Sequence, residues 1–419
     1  MSKTEKGLEP IFVDCKQLGA QTKVLNTSDN LKVLLSFLGF EPFLNGMTLE
    51  TEVIASGKVL SNEVVRSELI SASSRYDYPR AGIDDHFHVL AKENVYHPIE
   101  RYLDNKKWDG TCRLNSVVGC VRSKHSQLTS IILKRWLVGC IASIYEDNFK
   151  SKLVPVLQGE QSFVKTAFIE RMAKIVPYSF LEGAELNPDN KDSVLSCIRS
   201  WIIELGELER STKNSQGALK AFISKEVDTV RPPYSRIDVK KPRQSHFIAT
   251  VNGTDFLKDQ TGNSRYAVIE LTAPILIDDV NTILGWEYSK SGRLELVYPE
   301  KLCQFWLEVK YLYEAGEAWA LSREEQVQVD TISKMYVDKG NWYQLLAEHI
   351  HLYTDRSAHN LEWLAPKQIC DLIAIPSNNV AHVGRALKLL AREGILQSRR
   401  QNGYTKYLFP SIQLSERKL

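Results

Sequence analysis

The stretch LVPVLQGEQSFVKTAFIERM, Leu153 to Met172, constrains this chain more than any other. Its apolar run, Leu153 to Leu157, reads as a buried strand; the run breaks at Gly159, and an amphipathic helix resumes at Lys165-Thr166. A tight turn between a buried strand and a helix aims backbone N–H groups and the positive end of the helix at an anion. The layout G-x-x-x-x-G-K-[ST] adds a lysine for the β- and γ-phosphates and a hydroxyl for magnesium. Gly159, Glu160, Gln161 and Ser162 supply the loop, Lys165 the charge and Thr166 the hydroxyl. Val164 stands where the second glycine is expected. A β-branched residue resists positive φ, and if the position requires it valine costs on the order of 1–3 kcal/mol. Taken alone, the stretch also describes an ordinary strand-turn-helix that carries a lysine.

Three further segments bear on that choice. SWIIELGELER (Ser200 to Arg210) is an apolar strand ending in Glu204 and Glu207. Nucleotide hydrolysis uses an acid at a neighbouring strand tip to hold magnesium, and often a second carboxylate to orient water. SHFIATVNGTDFL ends a strand at Asn252, a side chain suited to bonding the attacking water or the γ-phosphate, although Asn-Gly is also a common turn. DQTGNSRYAVIEL places Arg265 just before a strand, where a guanidinium can stabilise a transferring phosphoryl group. Each segment alone has a plain structural explanation.

A chain of 419 residues is long enough for two or three domains. The expected boundaries are a mostly helical N-terminal region (1–148), an alternating α/β core (149–335) and a C-terminal block (340–419) that is helical and locally basic. The formal charge is only +2, so contact with nucleic acid must come from local clusters of basic residues. Seven cysteines are scattered without C-x-x-C spacing, which fits a reducing cytoplasm better than a disulfide framework or a zinc site. No apolar run reaches membrane-spanning length, and MSKTEKGLEP is followed by no apolar core, so neither a membrane partner nor a signal peptide is expected. The segment DDHFHVLAKENVYH reads as a loop with surface histidines; an i, i+2 histidine pair on one side of a strand is the alternative, and nothing else in the segment supports a metal site there.

Two segments suit DNA. TVRPPYSRIDVKKPRQSHF is proline-marked and basic, with Arg231, Arg236, Lys240, Lys241 and Arg243 against Asp238. Folded as a hairpin turning near Ser235-Arg236, it would grip a phosphate backbone without reading sequence, and Tyr234 could stack on a base. From Pro366 onward the chain reads as a winged helix-turn-helix. One helix covers Pro366 to Ile373, a second runs from about Asn379 to Arg392 and is closed by Gly394, and strands at 395–400 and 404–408 flank the QNG turn. The second helix would offer Asn378, Asn379, His382, Arg385 and Lys388 to a major groove, and the wing would lay Arg399, Arg400 and Lys406 on the backbone. A protein-docking role is the competing reading of such a module.

The segments YLDNKKWDGTCRL, WIIELGELE, LKAFISKEVDTVRPPYSR and FIATVNGTDFLKDQTGNSRY together resemble the virulence-associated protein E family of phage, satellite and genomic-island ATPases. The resemblance runs from about Leu31 to Leu271. It implies an α/β, AAA+ (superfamily 3-like) P-loop core, using ATP and Mg2+, in a homo-oligomer, expected to be a hexamer, with single-stranded DNA in the pore. By that resemblance, Lys165 and Thr166 are the P-loop lysine and magnesium hydroxyl, Glu204 and Glu207 the acidic pair, Asn252 the sensor, and Arg265 the arginine offered to a neighbouring subunit. Val164 and Ser264 depart from the family pattern, which expects a glycine and an arginine there. The expected function is a replicative DNA helicase or initiator of a mobile element that binds duplex origin DNA through the winged helix, with a primase as a further partner. The alternative is a non-hydrolysing origin-binding or scaffold protein that recruits another helicase.

Overall fold

The computed structural model describes residues 9–147, 149–206, 208, 213–231, 238–258, 263–354, 360–401 and 403–411. The chain divides into two units. The larger comprises Met1–Arg210, Asn214–Gly253 and Ser264–Ser333; the smaller comprises Ser211–Lys213, Thr254–Asn263 and Lys334–Leu419.

The N-terminal part of the larger unit holds more helix than strand, and the sheet it also contains was not anticipated. It carries helices at Ser28–Phe37, Asn62–Arg75 and Ala81–Lys92, together with a four-stranded sheet. That sheet runs Lys58–Leu60, Thr51–Ala55, Glu41–Asn45, Val95–Tyr96, with the last pair parallel. Strands of two to five residues show too little alternation to declare themselves, and their partners lie outside any local window. The first helix is capped by Thr27, whose hydroxyl accepts from the Asn30 amide at 3.3 Å, and not by Ser28 or Asp29. His86 and His88 lie on a helix, where an i, i+2 pair does not share a face. His88 Nδ1 sits 3.1 Å from Thr51 Oγ1, and Asp84 pairs with Arg66. Among the described residues no group of three metal-ligating side chains forms.

The helix Ser126–Tyr145 is long and apolar enough to cross a membrane, which the reading of apolar runs did not anticipate. It serves as a core helix, 67% buried over its most apolar stretch. Trp136 Nε1 donates to Phe247 O at 2.9 Å, and Cys140 O accepts from Trp201 Nε1 at 3.0 Å. Its two charges, Lys134 and Arg135, are both bonded to Glu317.

The core is a five-stranded parallel sheet of β1 (Val154–Gln158), β2 (Phe180–Leu181), β3 (Ile202–Leu205), β4 (His246–Val251) and β5 (Tyr266–Glu270). The order is β5-β1-β4-β3-β2, with every pairing parallel. Every residue of β1 and β3 is buried, as expected of strands covered on both faces, and this explains their unbroken apolar runs. Helix α1 (Lys165–Ala173) follows β1. Between β3 and β4 the chain forms helix Lys213–Ile223 and an antiparallel hairpin, Val227–Val230 with Val239–Pro242, in register Val230↔Val239.

The smaller unit contains helices Asn341–Thr354, Pro366–Leu372 and Val380–Arg392 and a three-stranded antiparallel sheet. The strands are Asn360–Leu364, Ser398–Gln401 and Tyr404–Ser411, with the last in the centre. Val383, Leu387 and Leu390 pack with Ile369 and Phe409 in its core, so one face of the last helix is buried and the other open. The strand at 360–364 was not anticipated; of the two strands expected around the QNG turn, the first begins three residues later than expected and the second ends three residues later.

Candidate nucleotide-binding site

In an open parallel sheet, ligands bind beyond the carboxyl ends of the strands. At that edge the structure gathers residues from β1, β3 and β4. The loop after β1 is closed by a bond from Phe163 N to Glu160 O (3.1 Å), and Gly159 N donates to Val251 O (3.2 Å), joining the loop to the end of β4. Gly159 is needed for space: a Cβ there would meet Phe163 Cδ2 at 2.7 Å and Leu271 Cβ at 3.1 Å. Glu160, Gln161 and Ser162 are all exposed along the loop, as an anion cradle requires.

Val164 adopts φ 51°, ψ 36°, the left-handed region. The residue that replaces glycine therefore keeps the conformation that glycine would take, with the cost of a β-branched side chain there. Helix α1 starts directly afterwards, and Phe168 N donates to Val164 O at 3.1 Å.

Lys165 is buried, 6% exposed. Its ammonium donates to Gly159 O (2.6 Å), Glu160 O (2.8 Å) and Asn252 Oδ1 (2.8 Å). One residue on, Thr166 Oγ1 donates to Glu204 Oε1 at 2.5 Å. Glu204, 1% exposed at the tip of β3, also accepts from Thr250 Oγ1 on β4 at 2.8 Å. Residues separated by up to 87 positions in sequence are thus brought together in two bonded pairs that meet at the start of α1, Lys165 with Asn252 and Thr166 with Glu204.

Thr250 was missed by the sequence reading. The available signal was strand alternation, which puts Thr250 and Asn252 on one face of β4. Gln158 was also missed; its amide donates to Asn252 O at 3.4 Å and steadies the turn after β4. Glu207, the second carboxylate of the expected pair, lies outside the described residues.

Arg265 is not part of this group. It precedes β5, whose first residue Tyr266 is in register with Val154, the first residue of β1. The strand length, at about 3.3 Å per residue, separates it from the edge where Lys165 sits. Its Nε donates to Ser224 Oγ at 2.8 Å, and Ser224 Oγ donates to Lys220 O. Lys220 is buried, with its ammonium 6.0 Å from the Tyr266 ring.

The hairpin corrects part of the DNA-contact expectation. Lys240 is exposed, and Arg231 is exposed and paired with Asp238 at 2.9 Å; Tyr234 and Arg236 lie outside the described residues. Lys241 is buried, 4% exposed, with its ammonium donating to Met47 O (2.6 Å) and Ile198 O (2.5 Å). Burial pushes its pKa down to about 7, against the pull of Asp228. Arg243 is likewise buried, in a two-bond ion pair with Asp228 at 2.6 Å and over the Phe222 ring at 4.2 Å. Neither can reach a phosphate backbone. Alternation along the strand turns 241 and 243 inward while 240 and 242 face out.

In the smaller unit, His382, Arg385 and Lys388 are exposed on the helix Val380–Arg392, with Asn379 half-buried at its start. Arg385 Nη2 lies 3.2 Å from His382 Nδ1. Arg399 and Arg400 are exposed and Lys406 is half-buried on the strands, with Arg399 stacked 4.1 Å over the Trp363 ring.

No curated protein matches the chain. Among solved structures, the apo structure of the NrS-1 C-terminal region (305–718) is similar, with 11% identity and a TM-score of 0.46 over 91% of this chain and 98% of that one. The A form apo structure of the same region has 12% identity and a TM-score of 0.45, with the same coverage. The profile of the virulence-associated protein E-like domain matches residues 103–338, a span that holds the loop after β1, Glu204, the hairpin, Asn252 and Arg265. More than half of the sequence is matched, and the chain belongs to the virulence-associated protein E-like family.

Proposed function

We propose that this chain is an ATP-dependent DNA motor of replication, with an AAA+ (superfamily 3-like) core and a C-terminal winged helix, working as a ring, expected to be a hexamer, in the cytoplasm. The observation that carries this reading is the convergence of Lys165, Thr166, Glu204 and Asn252 at the carboxyl edge of three parallel strands. The donor set fits a magnesium nucleotide. Mg2+ prefers oxygen ligands, and the Thr166 hydroxyl and Glu204 carboxylate form an all-oxygen pair at the start of α1. When bound, the magnesium nucleotide supplies the phosphoanhydride to be cleaved and the positive charge that offsets its oxygens.

The chain's own residues do the rest. Lys165 would exchange the carbonyls of Gly159 and Glu160 for phosphate oxygens, two of its donors already being aimed into the loop and a third at Asn252 Oδ1. Thr166 and Glu204 would hold the metal, with Thr250 bonded to the Glu204 carboxylate and orienting it. Asn252 orients the attacking water, and Glu207 is the second carboxylate. Arg265, remote from its own loop, serves the nucleotide of a neighbouring subunit. Arg231, Tyr234, Arg236 and Lys240 contact single-stranded DNA in the pore. The face carrying Asn379, His382, Arg385 and Lys388, with Arg399, Arg400 and Lys406, contacts duplex origin DNA. A primase or another replication protein acts beside it.

A second reading rests on Val164: a loop that binds nucleotide without hydrolysing it, in an origin-binding scaffold that recruits a partner helicase. ATP hydrolysis measured with and without single-stranded DNA, beside Lys165→Ala, separates the two. DNA-stimulated turnover lost in the variant supports the motor. Turnover no greater than that of the variant, with DNA binding intact, rules the motor out and leaves the scaffold.

A further inference from the structure

We infer that the loop 104–108 and the helix Pro299–Glu314 form a second docking point for single-stranded DNA, outside both the nucleotide site and the hairpin. The inference rests on the DNA-handling part of the proposal and is independent of ATP hydrolysis. A cavity of about 470 Å³ opens here, lined by Tyr102, Lys106, Lys107, Glu300, Cys303 and Gln304 among others. It falls in the size range of small-ligand pockets and is large enough for a nucleotide unit.

The loop is held rigidly to the helix. Asp109 N donates to Gln304 Oε1 (2.8 Å), Gln304 Nε2 donates to Lys107 O (3.1 Å), and the Arg113 and Leu114 amides both donate to Glu308 Oε2. Asp109 and Arg113 form a two-bond ion pair at 2.8 Å. These bonds satisfy the loop's backbone and its other charges, while the Lys106 and Lys107 ammoniums have no carboxylate within 4 Å among the described residues. Lys106 is placed 3.7 Å over the Tyr102 ring, which fixes its direction by cation–π attraction. Against two lysines the cavity wall offers one acid, Glu300, for a local charge of 2 − 1 = +1.

An aromatic platform adjoins the lysines. Trp108 and Tyr311 have ring centroids 4.9 Å apart, and Tyr311 is 51% exposed. Tyr311 lies seven residues after Gln304, hence on the same helix face. Exposed aromatic surface beside lysines that no carboxylate engages is the combination that holds single strands: bases stack on rings and ammoniums take the backbone, with little sequence preference. The chain's low overall charge makes the grouping informative, because an excess of basic residues elsewhere does not explain it.

The test is fluorescence anisotropy of labelled dT30 with the full chain at several salt concentrations. The double variant Lys106→Glu/Lys107→Glu is compared with Lys16→Glu/Lys23→Glu, an equal charge change on an exposed strand pair elsewhere. The inference expects a loss of roughly 10-fold at low salt for the first variant. Its salt dependence should be shallower by about 1.4 in log–log slope, two phosphate contacts at about 0.7 each. The control should stay within about 2-fold. Equal losses in both variants, no loss in the first, or no dT30 binding by the parent chain would each overturn it. Lys106 and Lys107 are exposed, so the melting curve should be unchanged; should the glutamates disturb it, Lys106→Ala/Lys107→Ala must give a roughly 5-fold loss or the inference fails. If ATP turnover is absent but this loss is seen, the motor reading falls and the docking site stands. The reverse pattern removes the docking site alone.

Discussion

Substituting Val164 by glycine and by alanine gives a test whose sign, and not only its size, is fixed by the backbone. The residue sits at φ 51°, ψ 36°. An L-residue in the left-handed region costs about 1–2 kcal/mol, and valine, stiff at χ1, falls at the upper end. Glycine has no such cost but loses about 0.5–1 kcal/mol of chain entropy on folding relative to alanine. At this position Val164→Gly should therefore be more stable than Val164→Ala by roughly 0.5–1 kcal/mol. At an ordinary helical or extended position the order is reversed by a similar amount. Loss of the half-buried valine methyls is common to both variants and cancels. Urea unfolding of the three proteins side by side reads this difference, provided the slopes agree. A parallel titration with a fluorescent ATP analogue should show Val164→Gly binding at least as tightly as the parent, because the loop conformation is unchanged and the strain is gone. If alanine proves the more stable replacement, the residue is not in the left-handed region, and the account of a glycine-like loop built with valine is wrong.

Other perturbations reach other parts of the molecule. Asp228→Ala leaves Arg243 charged and buried without its partner and should cost about 3–5 kcal/mol in urea unfolding, whereas replacing both by apolar residues should recover most of that; a loss under 1 kcal/mol would contradict the buried pair. Burial, with the nearby charges of Lys241 and Arg243, pushes the pKa of His97 and of His246 down to about 3. Each is depressed below the unfolded value near 6.5, so the unfolded chain binds more protons between the two, and stability is full above pH 6.5 and lost as pH falls. At pH 5 this amounts to about 2 kcal/mol for each histidine, readable as a fall in urea midpoint between pH 8 and 5 that replacing both histidines should flatten. Arg265→Ala and Lys165→Ala should each abolish turnover, and mixing them should restore part of it if Arg265 acts on a neighbour's nucleotide; an inactive mixture would place the arginine's role within its own chain.

Legibility in the sequence followed the range of the interactions. The strand-loop-helix at 153–172 is local, and its order of residues alone placed Lys165 and Thr166 at the start of a helix. The strand tips carrying Glu204 and Asn252 were visible as ends of apolar runs, because strands covered on both faces have no alternation to obscure. The bonds joining them cross 38 and 87 residues and were not visible as bonds. Lys241 shows the opposite failure. A basic run reads as solvated, yet the carbonyls that hold this lysine belong to Met47 and Ile198, the first of them 194 residues away. The short N-terminal strands were hidden for a related reason: Leu44 pairs with Val95 across a helix pair that dominates the local pattern.

The strand order of the core also bears on how the chain is made. Among the described residues β1 pairs with β4 and β5 and with no earlier segment, so its apolar sequence VPVLQ leaves the ribosome with both edges unpaired. β5 ends at Glu270 and β1 at Gln158, so 270 − 158 = 112 further residues must be synthesised first. At about 5–20 residues per second that wait is roughly 6–22 s. Throughout it the future floor of the candidate site is an unpaired apolar segment of a nascent chain, the kind of surface that is prone to aggregate until its partners arrive.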